Sequence, residues 1–228
     1  MSLILAMITS RDGIVASDGR RFGSARFEGG QIVEPALVES EEFDKTFSVG
    51  GGKVIGAFAG LMSFTGKDVA EHIDEIFQDS ASTETELNVI AAKVAEGIKS
   101  KLSNINQQEV IFECRKLDVL LIGCRSQAKR ELEIARLRFS PSNREIVVCV
   151  NIYSSGNQIY HALFGDDKAT AIAHRLLSNN RAPNRNAGFL KKLALRAMSA
   201  GIKGAGPHPY GTERACGEVT FTRRIHCK

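Results

Sequence analysis

No apolar run here approaches the ~20 residues that a bilayer-crossing helix needs, and the start of the chain carries no basic stretch leading into an apolar core. A membrane span and secretion are therefore not expected. Charge of one sign is also scarce: 30 lysines and arginines against 26 aspartates and glutamates leave a formal net charge of +4. The basic residues are scattered, so no nucleic-acid partner is expected. Cysteines number five, Cys114, Cys124, Cys149, Cys216 and Cys227, and no two form a CxxC pair. An odd, dispersed set predicts reduced thiols, not a disulfide frame or a zinc site. The five histidines show neither HxxxH nor HExxH spacing, so no metal or other cofactor is expected. Repeats, heptad arrays and low-complexity tracts are missing as well.

What is present is a globular composition. With 228 residues, 43% of them hydrophobic, and a mean hydropathy of −0.11, the chain reads as one cytoplasmic domain over 1–228 with a single substantial core. SLILAMIT and GIVAS read as two strands, joined by a hairpin turn at Arg11-Asp12-Gly13. Residues 20–42 turn polar and irregular, as a loop or a pair of short extended pieces. KTFSV and KVIGAFAG form a second hairpin around Gly50-Gly51-Gly52. The apolar period then changes to that of a helix, predicting helices over 67–79 and 84–103, the second behind a capping box Thr83-x-x-Glu86. Strands return with LDVLLIGC, ELEIARLRF and REIVVCVNIY; helices are expected over 158–178 and 186–200; GEVTFTRRI is a last strand. Strand runs broken by helix pairs argue for an α+β fold. The expected architecture is a four-layer αββα sandwich, two stacked, mainly antiparallel sheets with a helix pair outside each.

The second residue is a serine. It is small enough for Met1 to be removed, and Ser2 would then carry a hydroxyl and a free α-amine together. That pairing is a self-contained nucleophile and base. An α-amine has a pKa of about 7.7–8.0, close to cellular pH, where a general base works well. A neighbouring lysine favours the neutral amine by like-charge repulsion, and an aspartate holds that lysine. Taken alone, Ser2 is a common second residue, Asp18 an ordinary turn acid, Lys45 the start of an edge strand and Gly60 a strand end.

In order and on their predicted hairpins, however, these residues resemble the proteasome β-subunit family of N-terminal nucleophile (Ntn) hydrolases. The likeness rests on SLILAMITSRDGIVASDGR, DKTFSV and KVIGAFAG, and on an element order that matches almost to Lys228. The opening hairpin ends in Asp18, followed by Arg20, and Ser2 precedes Asp18 by sixteen positions, the family's spacing. Lys45-Thr46-Phe47 stands where the family has its catalytic lysine, and GAFAG ends on Gly60, whose N–H the resemblance makes the oxyanion donor. YSSGNQ resembles the turn that supplies a serine near the nucleophile, placing Ser154 or Ser155 there. TERACGEVTF puts Glu213 and Cys216 where the family has an aspartate and a serine. Serine for threonine at the nucleophile, a longer segment between Asp18 and Lys45, and these last two replacements are the departures. The resemblance implies a peptidase acting on peptides or unfolded proteins and assembled as a homo-oligomeric ring with inward-facing sites. It leaves room for an ATPase or other activator. The rival expectation is an inactive structural or interaction subunit of the same shape.

Overall fold

A computed structural model describes residues 2–23, 25–28, 31–78, 86–105, 116–125, 131–142, 145–156, 158–180 and 187–227. The chain is a mixed α+β protein built on two principal antiparallel sheets. In the first, β1 (Leu3–Ile8) and β2 (Asp12–Asp18) form the opening hairpin, with Ile4 opposite Ser17 and Ile8 opposite Gly13. The turn sits one step earlier than the Asp-Gly pair suggests. Thr9 N–H donates to Asp12 O at 2.8 Å, Asp12 N–H donates to Thr9 Oγ1 at 3.0 Å, and Gly13 already lies in β2.

The second sheet contains β7 (Thr46–Val49), β8 (Val54–Gly60), β11 (Leu117–Cys124), β12 (Leu132–Ser142) and β13 (Glu145–Ser154), in the order β13-β12-β11-β8-β7. Four helices are described: α1 (Val69–Gln78), α2 (Leu87–Ser103), α3 (Asp167–Ser178) and α4 (Ala187–Gly204). Thr83 of the expected capping box lies outside the described residues, and Glu86 caps α2 without a side-chain hydrogen bond. No described helix is long and apolar enough to cross a membrane.

One strand departs from expectation. Residues 158–165 do not begin a helix; Tyr160–Gly165 is β14, paired antiparallel to β1 from Tyr160 opposite Ile8 to Gly165 opposite Leu3. The first sheet therefore runs β14-β1-β2-β15, where β15 is Thr220–His226. β1 is an interior strand, and each of its residues is fully buried. That explains why a strand can begin so near the start of the sequence without fraying.

Side-chain alternation sorts the strands into three apolar clusters. Ile4, Ala6 and Ile8 face Ile55, Ala57, Leu120 and Ile134 of the other sheet, the alanines allowing close approach. Leu3, Leu5 and Met7, on the opposite face of β1, pack on Ala169, Ala173, Leu193 and Met198 from α3 and α4. Phe58, Val119 and Leu121 meet Val69, Ile73, Ile90 and Val94 from α1 and α2. This packing is compatible with a sandwich. The described residues of 20–42 form two short ribbons: β3 (Arg21–Phe22) pairs with β6 (Val38–Ser40), and β4 (Arg26–Glu28) with β5 (Gln31–Glu34). After β8, β9 (Ser63–Phe64) pairs with β10 (Lys67–Asp68).

Candidate active site

Four of the expected residues stand at strand ends of the two sheets, Ser2 and Gly60 lining one cleft and Asp18 and Lys45 fully buried. Ser2 precedes β1, Asp18 ends β2 beside it, Lys45 precedes β7, and Gly60 ends β8. Asp44 fixes the entry to β7 by accepting from Thr46 N–H at 2.8 Å and from Thr46 Oγ1 at 2.6 Å. Lys45 does stand at the start of an edge strand, since β7 is terminal in its sheet, but it does not guard that edge: its side chain is 0% exposed.

Burying an ammonium without a counter-charge is prohibitively unfavourable, and Asp18 supplies one. Lys45 Nζ donates to Asp18 Oδ1 at 3.1 Å and to the Asp18 carbonyl at 2.8 Å. The carboxylate is held in turn by main-chain donors: Leu3 N–H to Oδ1 at 2.8 Å, and Arg20 and Gly217 N–H to Oδ2, each at 3.1 Å. Burial pulls the Lys45 pKa below its ordinary value, against the opposing pull of Asp18. A buried lysine with a lowered pKa and a specific charge partner is a pattern enriched at functional sites, though structural ion pairs show it too.

Ser2 is 1% exposed, and its Oγ has no hydrogen-bond partner among the described residues. Most buried polar groups are paired, so an orphan hydroxyl calls for an explanation. Ser2 and Gly60 both line a cleft of about 720 Å³. Gly60 has φ +94°, and a Cβ there would stand 1.8 Å from the Lys116 carbonyl oxygen, so only glycine fits.

The remaining expected residues divide. Cys216 is buried, and its thiol lies within the electrostatic reach of Asp18, Asp166 and Lys45. Glu213 is exposed and does not line the cleft; the extra methylene of a glutamate does not bring it to Ser2. Ser155 is also misplaced. Its Oγ donates to the Gly156 carbonyl, and it precedes the end of β14 that pairs with Ile8, a strand's length from Ser2. Ser154 binds Glu133 instead, at 2.9 Å. The physical reason is β14 itself, which inserts a strand between the YSSG turn and the site.

Two features were not legible. Asp166, not a serine from YSSG, stands beside the Ser2 main chain: its N–H donates to the Ser2 carbonyl at 2.8 Å. It caps α3 by accepting from Ala169 N–H at 2.9 Å. The preceding Gly165, at φ +130°, lies so close that a Cβ would stand 1.7 Å from Ser2 O. Gly165-Asp166 before an apolar helical stripe is a helix-start signal that could have located this turn. The second feature is the cleft wall, made by the 20–42 ribbons and the segment around His208. Phe22 stacks on His208 with centroids 4.0 Å apart, and Ala36 N–H donates to Tyr210 O at 2.6 Å. Arg20 ties both to β2 through Glu41 and the Arg214 carbonyl.

Burial pushes the Cys216 thiol well above its ordinary range, reinforced by the Asp18 and Asp166 charges. The unfolded chain releases that proton near pH 8.5 while the folded chain retains it, so this contribution to stability is complete below pH 8.5 and declines above it. Lys45 acts with the opposite sign, which makes a paired comparison necessary. Denaturant titrations between about pH 8 and pH 10 are expected to show a shallower alkaline decline for Cys216→Ala, by about 1.4 kcal/mol per pH unit. Parallel slopes would exclude the thiol as the cause.

Among the described residues no group of three or more His, Cys, Asp or Glu is gathered to hold a metal ion. Neither a protein-family model nor a curated protein matches the chain.

Proposed function

We propose that the protein is a proteasome β-subunit-like Ntn hydrolase, a four-layer αββα sandwich that cleaves peptide bonds with Ser2 once Met1 has been removed. The observation that carries this reading is the orphan Ser2 hydroxyl at a cleft, one residue before Leu3, whose N–H binds Asp18 of the fully buried Lys45–Asp18 pair. In the mechanism Ser2 Oγ attacks the peptide carbonyl and its own amine takes the proton. Lys45, held by Asp18, keeps that amine neutral by charge repulsion. The Gly60 N–H receives the oxyanion, a contact typically worth about 3 kcal/mol. The amine returns its proton to the leaving group, and water then releases the acyl group from Ser2.

The resemblance supports further parts of the proposal: peptide or unfolded-protein substrates, a homo-oligomeric ring, an ATPase or other activator, and a cytoplasmic setting. The exposed Glu213 and the displaced Ser155 favour a second reading, an inactive subunit of the same shape. Intact-mass and N-terminal peptide measurements separate the two. The hydrolase requires a chain that starts at Ser2, lighter by one methionine residue; a retained Met1 leaves the inactive subunit. Assays on peptide amides beside simple amides then define the substrate class.

A further inference from the structure

At the end of the sheets opposite Ser2, two sulfur atoms meet that lie 103 residues apart in sequence. Cys124 ends β11 and Cys227 follows β15, and their Sγ atoms stand 2.7 Å apart. A disulfide bond is about 2.05 Å long, so the thiols need to close by less than ~1 Å. The main chain enforces the approach from both sides. Cys227 N–H donates to Arg11 O at 2.9 Å, and Leu132, the register partner of Cys124, donates its N–H to Ser10 O at 3.1 Å. Both cysteines are thus anchored on the loop that joins β1 to β2. Cys124 is half-buried and Cys227 is 7% exposed. By contrast Cys149 is exposed on β13 and Cys216 is buried at the other end of the molecule. The dispersed spacing in sequence gave no hint of this pair.

We propose that Cys124 and Cys227 form a latent disulfide, closed by a low-molecular-weight disulfide such as oxidised glutathione, which staples the end of β11 in one sheet to the end of β15 in the other. The Cys124 thiolate, the more accessible of the two, attacks one sulfur of the small disulfide. A mixed disulfide forms, and one glutathione thiolate leaves. The Cys227 thiolate then attacks Cys124 Sγ and expels the second glutathione thiolate. The protein gives up two electrons and two protons, and the oxidant becomes two thiols.

Burial and the hydrogen bond with Cys227 push the Cys124 thiol up to about 12. Thiolate is therefore scarce at neutral pH, and closure is slow and quickens as pH rises. The pair acts as a structural staple, not a fast sensor. Its loop encloses about 100 residues, the range in which cross-links constrain the unfolded chain most.

Incubation of the full chain with oxidised glutathione at about pH 8.5, alkylation, and digestion without reductant test the proposal. A peptide linking Cys124 to Cys227 is expected, with a Tm rise of roughly 5–15 °C that a reductant reverses. Cys227→Ser and Cys124→Ala each lose the linked peptide; should either fail to fold, the map of the unmodified sequence decides alone. Both residues alkylated after treatment, a persistent glutathione adduct at Cys124, or a link to another cysteine overturns the proposal. So does the expected bond with no rise in Tm.

Discussion

Replacing Ser2 by alanine is expected to abolish peptide-amide hydrolysis, lowering kcat/KM by at least ~10³-fold, and to leave the fold intact. The two halves of this expectation have separate physical sources. The hydroxyl oxygen is the atom that attacks the peptide carbonyl, and the α-amine that remains in Ser2→Ala has no such hydroxyl to deprotonate. The same hydroxyl is buried without a partner among the described residues. Removing it discards an unmet desolvation penalty and no native hydrogen bond. The melting temperature is accordingly expected to stay within ~2 °C of the parent. A fluorogenic peptide amide and calorimetry on the same preparation check both. Undiminished turnover by Ser2→Ala would remove the nucleophile from the proposal; a large fall in Tm would mean that the hydroxyl has a structural partner.

Lys45→Met is expected to be harmful in both respects. The methionine keeps most of the buried stem but removes the charge that Asp18 faces at 3.1 Å. Taking one partner from a buried pair typically costs 3–5 kcal/mol. Asp18 retains the Leu3, Arg20 and Gly217 N–H donors, which places the loss near the lower figure, about 3 kcal/mol. For a chain of this length that corresponds to a Tm roughly 6–12 °C lower. Hydrolysis is expected to fall by ~10² or more, because the Ser2 amine loses the cation that keeps it neutral. Chemical denaturation measures the first effect and kcat/KM the second. An unchanged stability would mean that the pair contributes nothing to the fold.

Much of this was legible because it is local. β1, β2, β8, β11 and the four helices announce themselves by period, and Asp18 and Lys45 lie in short strings whose ends coincide with strand ends. β14 was not legible. QIYHALFG carries apolar residues compatible with either period, and its pairing with β1 settles the matter, a long-range event that no window over 158–165 contains. Ser155 was misplaced for the same reason. Asp166 reaches the Ser2 carbonyl only because β14 runs back along β1. The cleft wall escaped because Phe22 and His208 are nearly two hundred positions apart, and ribbons of two to four residues have no periodicity to read. Glu213 was matched by its place in TERACGEVTF, which says nothing of the direction its side chain takes.

The cleft joins two materials of unequal resilience. Its floor belongs to interior strands, where almost any replacement disturbs a core on both faces; its rim is made of ribbons so short that they owe their shape to a ring stack and a few main-chain bonds. Substitutions in the rim can therefore accumulate without endangering the floor. If the proposed hydrolase is right, descendants of this protein are free to change what they grip long before they change how they cut it.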